Sequence, residues 1–356
     1  MKILFLFPYP LGSAPSQRFR FEQYLHFLKE KNITYQTQGF LDEKTWQILY
    51  KKGHISQKLF GILRGFLRRF FILLRMYQYD FIFIHREASP ILYPFFELII
   101  AKIFKKKIIF DFDDAIWLPN TSQENRLVAG IKFHQKTNLI CKWAYKISAG
   151  NDYLCEYAKK FNQNVILNPT TIDTENLHNP ALFQVKKLEK IVIGWTGTHS
   201  TIVYLNGIVP ILQNLEQKFD FYFLVISNQQ PSFQLKSLRY VAWQKETEIP
   251  DLMQIDIGIM PLTDDAWAKG KCGFKALQYM ALGIPALVSP VGVNQKIVDN
   301  GINGFWCSTA EEWLNALTLL LENSELRQNM GKEARKKIER HYSVLANKEN
   351  FLQLFS

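Results

Sequence analysis

Cysteine is scarce and scattered in this chain. Cys141, Cys155, Cys272 and Cys307 form no CxxC pair, and neither they nor the seven histidines show metal-ligand spacing. A disulfide framework and structural zinc are therefore excluded, and a reduced, cytoplasmic protein is expected. Long apolar runs are missing as well. Arg64, Arg68, Arg69 and Arg75 break one candidate span, and Glu97 and Lys102 break the other, so neither reaches the roughly 18 apolar residues of a membrane crossing. The opening run Met1 to Phe7 stops at Pro8 with no small-residue cleavage site, and reads as a buried strand instead of a signal peptide. Acidic residues are in deficit, 32 Asp and Glu against 43 Lys and Arg, for a formal charge of +11. That balance favours phosphate-bearing ligands or an anionic surface. No HTH, RRM, zinc-finger or stacking-groove pattern accompanies the charge, so nucleic acid is not an expected partner.

What is present is ample apolar material. With 356 residues, 47% of them hydrophobic, the chain suits two α/β domains, each with its own core. Short apolar runs at 2–7, 80–84, 107–112 and 146–149 alternate with segments long enough for crossover helices, the cadence of a parallel, doubly wound sheet. The cadence restarts at 191–194 and continues through 221–226, 241–243, 255–260 and 286–288. Between the halves, Asn168-Pro169 and the polar stretch 174–190 read as an exposed connector, which puts the boundary near 175. Ligands of open parallel sheets bind beyond the carboxyl ends of the strands, so the loops there are the functional candidates, and the two sheets are expected to face a central cleft.

The densest chemical signal is Lys269-Gly270-Lys271-Cys272-Gly273-Phe274-Lys275 running into Ala276 and on to Pro285. Glycines admit an anion to the backbone, free N–H groups at a helix start supply donors, and Lys271 with Lys275 adds charge on one face. The same pattern also suits a solvated basic loop. The run Gly270 to Pro285, followed by Ser289-Pro290-Val291-Gly292-Val293-Asn294 and Asn303-Gly304-Phe305, with Asn168-Pro169 and the final His341-Tyr342-Ser343, resembles family 4 GT-B glycosyltransferases, the glycosyl transferases group 1. The resemblance spans nearly the whole chain. It implies two Rossmann-like domains: an acceptor-side domain over 1–175, a nucleotide-sugar donor domain over 176–340, and a C-terminal helix over 341–356 crossing back to the first. It also implies a retaining reaction without metal or other cofactor, with a nucleotide-diphosphate sugar as donor substrate and a glycan or lipid-linked hydroxyl as acceptor.

The sequence departs from the family pattern at several places. Where members carry two glutamates, this chain has Gly270 and Gln278; the Gln278 amide can still hydrogen-bond ribose hydroxyls. Asp264 or Asp265 can replace the missing carboxylate, or act as turn and cap residues. The family's basic pair after the first strand of the second domain is replaced by Thr196-Gly197-Thr198-His199-Ser200. Thr196, Gly197 and Thr198 then offer hydroxyls and N–H groups, and the positive charge falls to Lys271 and Lys275. In the first domain, Gly12 and Ser13 resemble the small-residue loop that faces the donor phosphates, with Arg18 or Arg20 as a phosphate contact. Where members have a histidine this chain has Asp113. Asp111, Asp113 and Asp114 together are expected to avoid the core, because unpaired buried carboxylates are costly. Asp113 and Asp114 can orient acceptor, serve as a base, or pair with Arg86. His85, leaving an apolar strand, is a further catalytic candidate at the cleft edge.

The segment 51–75 interleaves Lys58, Arg64, Arg68, Arg69 and Arg75 with Leu59-Phe60, Ile62-Leu63, Phe66-Leu67 and Phe70-Phe71. Such a basic, aromatic-rich amphipathic helix can lie on an anionic membrane, giving a peripheral location on its inner face, or pack as an ordinary crossover helix. The function expected from all of this is sugar transfer; a catalytically silent sugar-nucleotide-binding or assembly protein of the same fold is the alternative.

Overall fold

The computed structural model describes residues 1–49, 51, 53–119, 133 and 135–356. The chain divides into two compact units. Met1–Thr170 with Lys348–Ser356 form the first, and Thr171–Asn347 the second.

Among the described residues the first unit holds six parallel strands: β1 (Lys2–Phe7), β2 (Thr34–Gly39), β3 (Phe81–His85), β4 (Lys107–Phe112), β5 (Lys146–Ala149) and β6 (Val165–Leu167), ordered β2-β1-β3-β4-β5-β6. The central strands are continuous apolar runs because helices cover both sheet faces. Their core is aromatic: Phe5 stacks on Phe21 at 5.5 Å between ring centroids and lies 4.9 Å from Phe83. Two of these strands escape the apolar-run reading. β2, with the sequence TYQTQG, is an edge strand of mixed polarity, and β6 is an edge of three residues.

The second unit repeats the plan with β7 (Ile191–Gly197), β8 (Phe221–Ser227), β9 (Leu238–Ala242), β10 (Ile257–Met260), β11 (Ala286–Val288) and β12 (Gly304–Trp306), ordered β12-β11-β10-β7-β8-β9 and all parallel. The doubly wound, parallel α/β plan expected from the cadence is the observed one, in two Rossmann-like units. Buried Trp195, Phe223, Ile259 and Leu317 are among its core residues. The connector differs from expectation at its start: Ile172 bridges Ser343, and Thr174 and His178 are buried, while Glu175, Asn176 and most of 181–190 are exposed.

In each sheet the strand order reverses once, between β1 and β3 and between β7 and β10. These are the points where crevices open at the carboxyl ends of doubly wound sheets. All four cysteines are buried free thiols.

Candidate functional site

In the second unit the crevice at β7 and β10 is bordered by the loop after each strand. The first of these, Gly197-Thr198-His199-Ser200, is held by its own hydrogen bonds. Thr198 and Thr201 form a reciprocal cap, Thr198 Oγ1 lies 2.9 Å from Ser200 Oγ, and the His199 N–H donates to Asn228 Oδ1 at 2.8 Å. Thr196 is buried and its N–H donates to the Tyr279 hydroxyl, so of the three expected contacts Thr196 is the one turned inward.

The loop after β10 leads through the short helix Ala266–Lys269 to Phe274–Ala281, whose N-cap Gly273 sits at φ 69° without a side-chain cap. A Cβ there would strike Ile297 Cδ1 at 2.1 Å, so both backbone and space demand glycine. Lys271 Nζ lies over the Trp267 ring at 5.6 Å and the Tyr204 ring at 6.0 Å, and Lys275 Nζ over the Trp195 ring at 5.5 Å. Trp195 belongs to β7 and Tyr204 follows its loop. The fold thus brings both lysines to the Gly197–Ser200 side of the crevice, which spacing alone could not establish.

Gln278 is buried, its amide nitrogen 3.4 Å from both His178 Nε2 and Glu248 Oε1. Glu248 and His178 were not singled out in the sequence; nothing in their local spacing marks them, because they reach Gln278 from distant parts of the unit. Asp265 is a cap: it accepts from the Ala268 N–H at 2.8 Å and from the Thr263 hydroxyl. Burial, which would raise its pKa, is outweighed by these bonds, and the carboxyl is held below its usual range. Asp264 pairs with Lys269 at 3.1 Å.

In the first unit, the expectation that all three aspartates avoid the core fails for Asp111. It is fully buried on β4, accepting hydrogen bonds from Arg20, from Ser148 Oγ at 2.6 Å and from His85 Nδ1 at 2.7 Å. Burial alone would raise its pKa, but the Arg20 charge and His85 hold the carboxyl well below the usual range. Two further expectations change with it. Arg20 is buried in this network, also donating to the Asn168 carbonyl, and so is a structural cation instead of a phosphate contact. His85 is likewise wholly interior, its Nε2 buried without a hydrogen-bond partner among the described residues, so it does not stand at an exposed edge. A sequence cannot reveal this pairing, because Arg20, His85 and Asp111 meet only through the β1, β3, β4 order.

Asp113 and Asp114 stay partly open, with side chains 13% and 23% exposed, and share the Arg86 guanidinium. Arg86 Nε and Nη2 reach Asp113 Oδ1 at 2.9 and 2.7 Å, and Nη2 also reaches Asp114 Oδ2. Burial, which would loosen the Arg86 proton, is outweighed by the two carboxylates. Arg86 itself lies at φ 60°, a strained backbone for a non-glycine residue, where its N–H donates to the Asp111 carbonyl. Gly12, at φ 75°, donates its N–H to Glu22 Oε2 at 2.8 Å, and the Ser13 hydroxyl binds the Pro10 carbonyl. Glu22, unforeseen in the sequence, is raised in pKa by burial against the pull of the Gly12 N–H, Gln17, Arg18 and His85. Among the described residues no three His, Cys, Asp or Glu side chains gather as a metal cluster.

Residues 229–337 match the family described as Glycosyl transferases group 1, which includes the Gly270 to Pro285 run. A glycosyltransferase from Rickettsia africae is similar in structure, with a TM-score of 0.69 at 12% identity over 99% of this chain and 97% of its own. Sucrose-phosphate synthase from Thermosynechococcus elongatus gives 0.65 at 12% identity, over 100% and 98%. Anabaena HepE, solved in complex with UDP-glucose, gives 0.62 at 14% identity, over 99% and 98%. Among curated proteins, no sequence matches this chain.

Proposed function

We propose that the chain, a glycosyltransferase by its group 1 segment and its GT-B architecture, transfers a sugar from a nucleotide-diphosphate sugar to a hydroxyl of a glycan or lipid-linked acceptor. The observation that carries this reading is the convergence of Lys271, Lys275 and the N-terminus of Phe274–Ala281 on the β7 loop. Two ammonium groups and a helix N-terminus at one crevice stabilise the charge that develops on a departing diphosphate. That supply of positive charge gives the leaving group its counterions without a metal, and the mechanism assigned is cofactor-free. HepE, in its UDP-glucose complex, lends support for a nucleotide-sugar donor. The Gly197 and Thr198 loop would bind the diphosphate with the lysines, and Gln278 the ribose.

Transfer is assigned as retaining, as in family 4. The departing diphosphate oxygen accepts the acceptor's proton on the face it leaves, so no base on the opposite face is needed. Asp113 and Asp114, held by Arg86, would orient the acceptor. His85, enclosed beside Asp111, would act by positioning that loop.

A panel of nucleotide sugars tests the reading by thermal shift, followed by NMR of the product formed by chelator-treated enzyme. A bound ligand at 100 times its dissociation constant stabilises by about 2.7 kcal/mol. One donor should stabilise and turn over with its anomeric configuration kept. An inverted product, or activity returning only with added divalent metal, would refute the mechanism. Binding with no turnover on any acceptor would make the chain a silent sugar-nucleotide binder.

A further inference from the structure

The helix Ile55–Leu73 sits on its sheet by the wrong face for a core helix. Its buried positions are Gly61, Gly65, Arg69, Ile72 and Leu73. Gly61 lies against Thr45 and Gly65 against Phe40, where a Cβ would come within 2.9 Å of either side chain. Arg69, fully buried, donates to the carbonyls of Ala88, Gln38 and Phe7. The cations expected on the open face are thus partly turned inward: Arg68 reaches the Phe40 carbonyl, and Arg64 pairs with Asp42.

The apolar side is left open. Leu59, Phe60, Leu63, Leu67, Phe71 and Leu74 are 48 to 73% exposed, and at spacings of three and four residues they line one face. Soluble proteins seldom leave so continuous an apolar strip uncovered. Phe66 and Phe70 contact Phe95 and Phe96, which ties the strip to the following segment with its exposed Ile103.

Charge selects the occupant. The helix contains no acidic residue. Arg75, just past the helix end, is exposed, as are Lys102 and Lys105, and Lys106 Nζ is held near that end by the Tyr77 carbonyl at 3.2 Å. The acids between 51 and 107 are all engaged: Asp80 with the Lys2 N–H, Glu87 with Lys136, and buried Glu97 with the Ala88 N–H. Lys52 lies outside the described residues. A second copy of the chain would carry the same cations to the contact, whereas an acidic phospholipid surface accepts the apolar strip and neutralises the basic end together. Among the described residues no helix is long and apolar enough to cross a membrane, which leaves the helix to lie in the plane of the interface.

We infer that the exposed face of Ile55–Leu73, with Leu74 and the Arg75, Lys102, Lys105 and Lys106 cluster, is a docking surface for anionic phospholipid membranes. Flotation with phosphatidylcholine vesicles, with and without phosphatidylglycerol, tests it. The wild-type chain should be recovered on the anionic vesicles about tenfold more than on the neutral ones, and less as salt rises. A Leu63→Glu, Phe71→Glu variant should fall to the neutral level, its melting temperature unchanged because both positions are exposed. Equal wild-type recovery on both vesicle types, none on either, or full recovery of the folded variant would overturn the inference. So would a wild-type dimer that the variant dissolves and vesicles do not capture, which would assign the face to self-association. No arm depends on sugar transfer, so failure here is separable from failure of the donor reading.

Discussion

Asp111 concentrates the interior charge of the first unit, and its environment makes a pH prediction. Its folded pKa is depressed by Arg20 and His85 against the cost of burial, while in the unfolded chain it returns to about 3.9. The stabilisation is therefore full above about pH 4 and is lost as pH falls below it toward the folded value. Acid unfolding of the Asp111→Asn variant should lack this component, and at pH 7 the variant should lose about 3 to 5 kcal/mol because Arg20 remains buried without its counter-charge. Denaturant titrations at pH 7 and pH 3 check both; an unchanged wild-type stability between them would sink the assignment. The lysines make a contrasting case. Lys271→Ala should weaken nucleotide-diphosphate binding about tenfold, the worth of one charge-assisted hydrogen bond, without loss of folding. Unaltered affinity in a folded Lys271→Ala, Lys275→Ala variant would remove the diphosphate from this crevice.

At the scale of elements, Ile55–Leu73 shows how small residues fix a packing face. With Gly65 a Cβ would lie 2.7 Å from the Phe40 ring and 2.8 Å from the Phe40 carbonyl oxygen. The helix or the Phe40 backbone must shift to admit it, so Gly65→Ala should destabilise by about 1 to 3 kcal/mol although alanine is the better helix former. A stability equal to or above wild type in urea would show that the close approach is not required. The same helix marks where sequence reading stops. Its amphipathic pattern was legible, but which face turned inward was not, since that choice was made by Thr45 and Phe40 across the unit. Central strands β1, β3, β4, β7 and β8 are readable because burial on both faces makes them continuous apolar runs. β2, β6 and β12 are not, because edge strands are short or half-solvated and need no such run. The site divides likewise. The Gly270 to Lys275 loop announces itself by composition, and the Asp113 loop by its charge density. Arg20 with Asp111, and His178 and Glu248 with Gln278, are pairings across long chain distances that no local spacing encodes.

On the scale of the whole molecule, the first unit is discontinuous, and its last piece carries a disproportionate load. The chain leaves that unit at Thr170 and re-enters it at Lys348. Residues Lys348–Ser356 then place Phe351, Leu354 and Phe355 in the β-sheet core, all buried. Phe351 stacks on Tyr24 at 4.4 Å, and Phe355 lies 6.1 Å from Phe5 and 5.9 Å edge-on to Phe81. Polar bonds fasten the segment: Lys146 Nζ donates to the Gln353 carbonyl at 2.7 Å, Asn350 to the Leu167 carbonyl at 3.1 Å, and Lys348 pairs with Glu30 at 3.0 Å. This segment fills a core, so its loss is a core deletion. Phe351→Ala should cost the first unit about 3 to 5 kcal/mol, the range for removing a buried phenylalanine. The second unit has its own core around Trp195 and Phe223. Hydrogen exchange separates the two consequences: amides of β1 and β3 should lose protection in Phe351→Ala while those of β7 and β8 keep theirs. Equal loss in both sheets would mean that the units unfold as one, and no loss in either would mean that the terminal segment contributes nothing to the core it occupies.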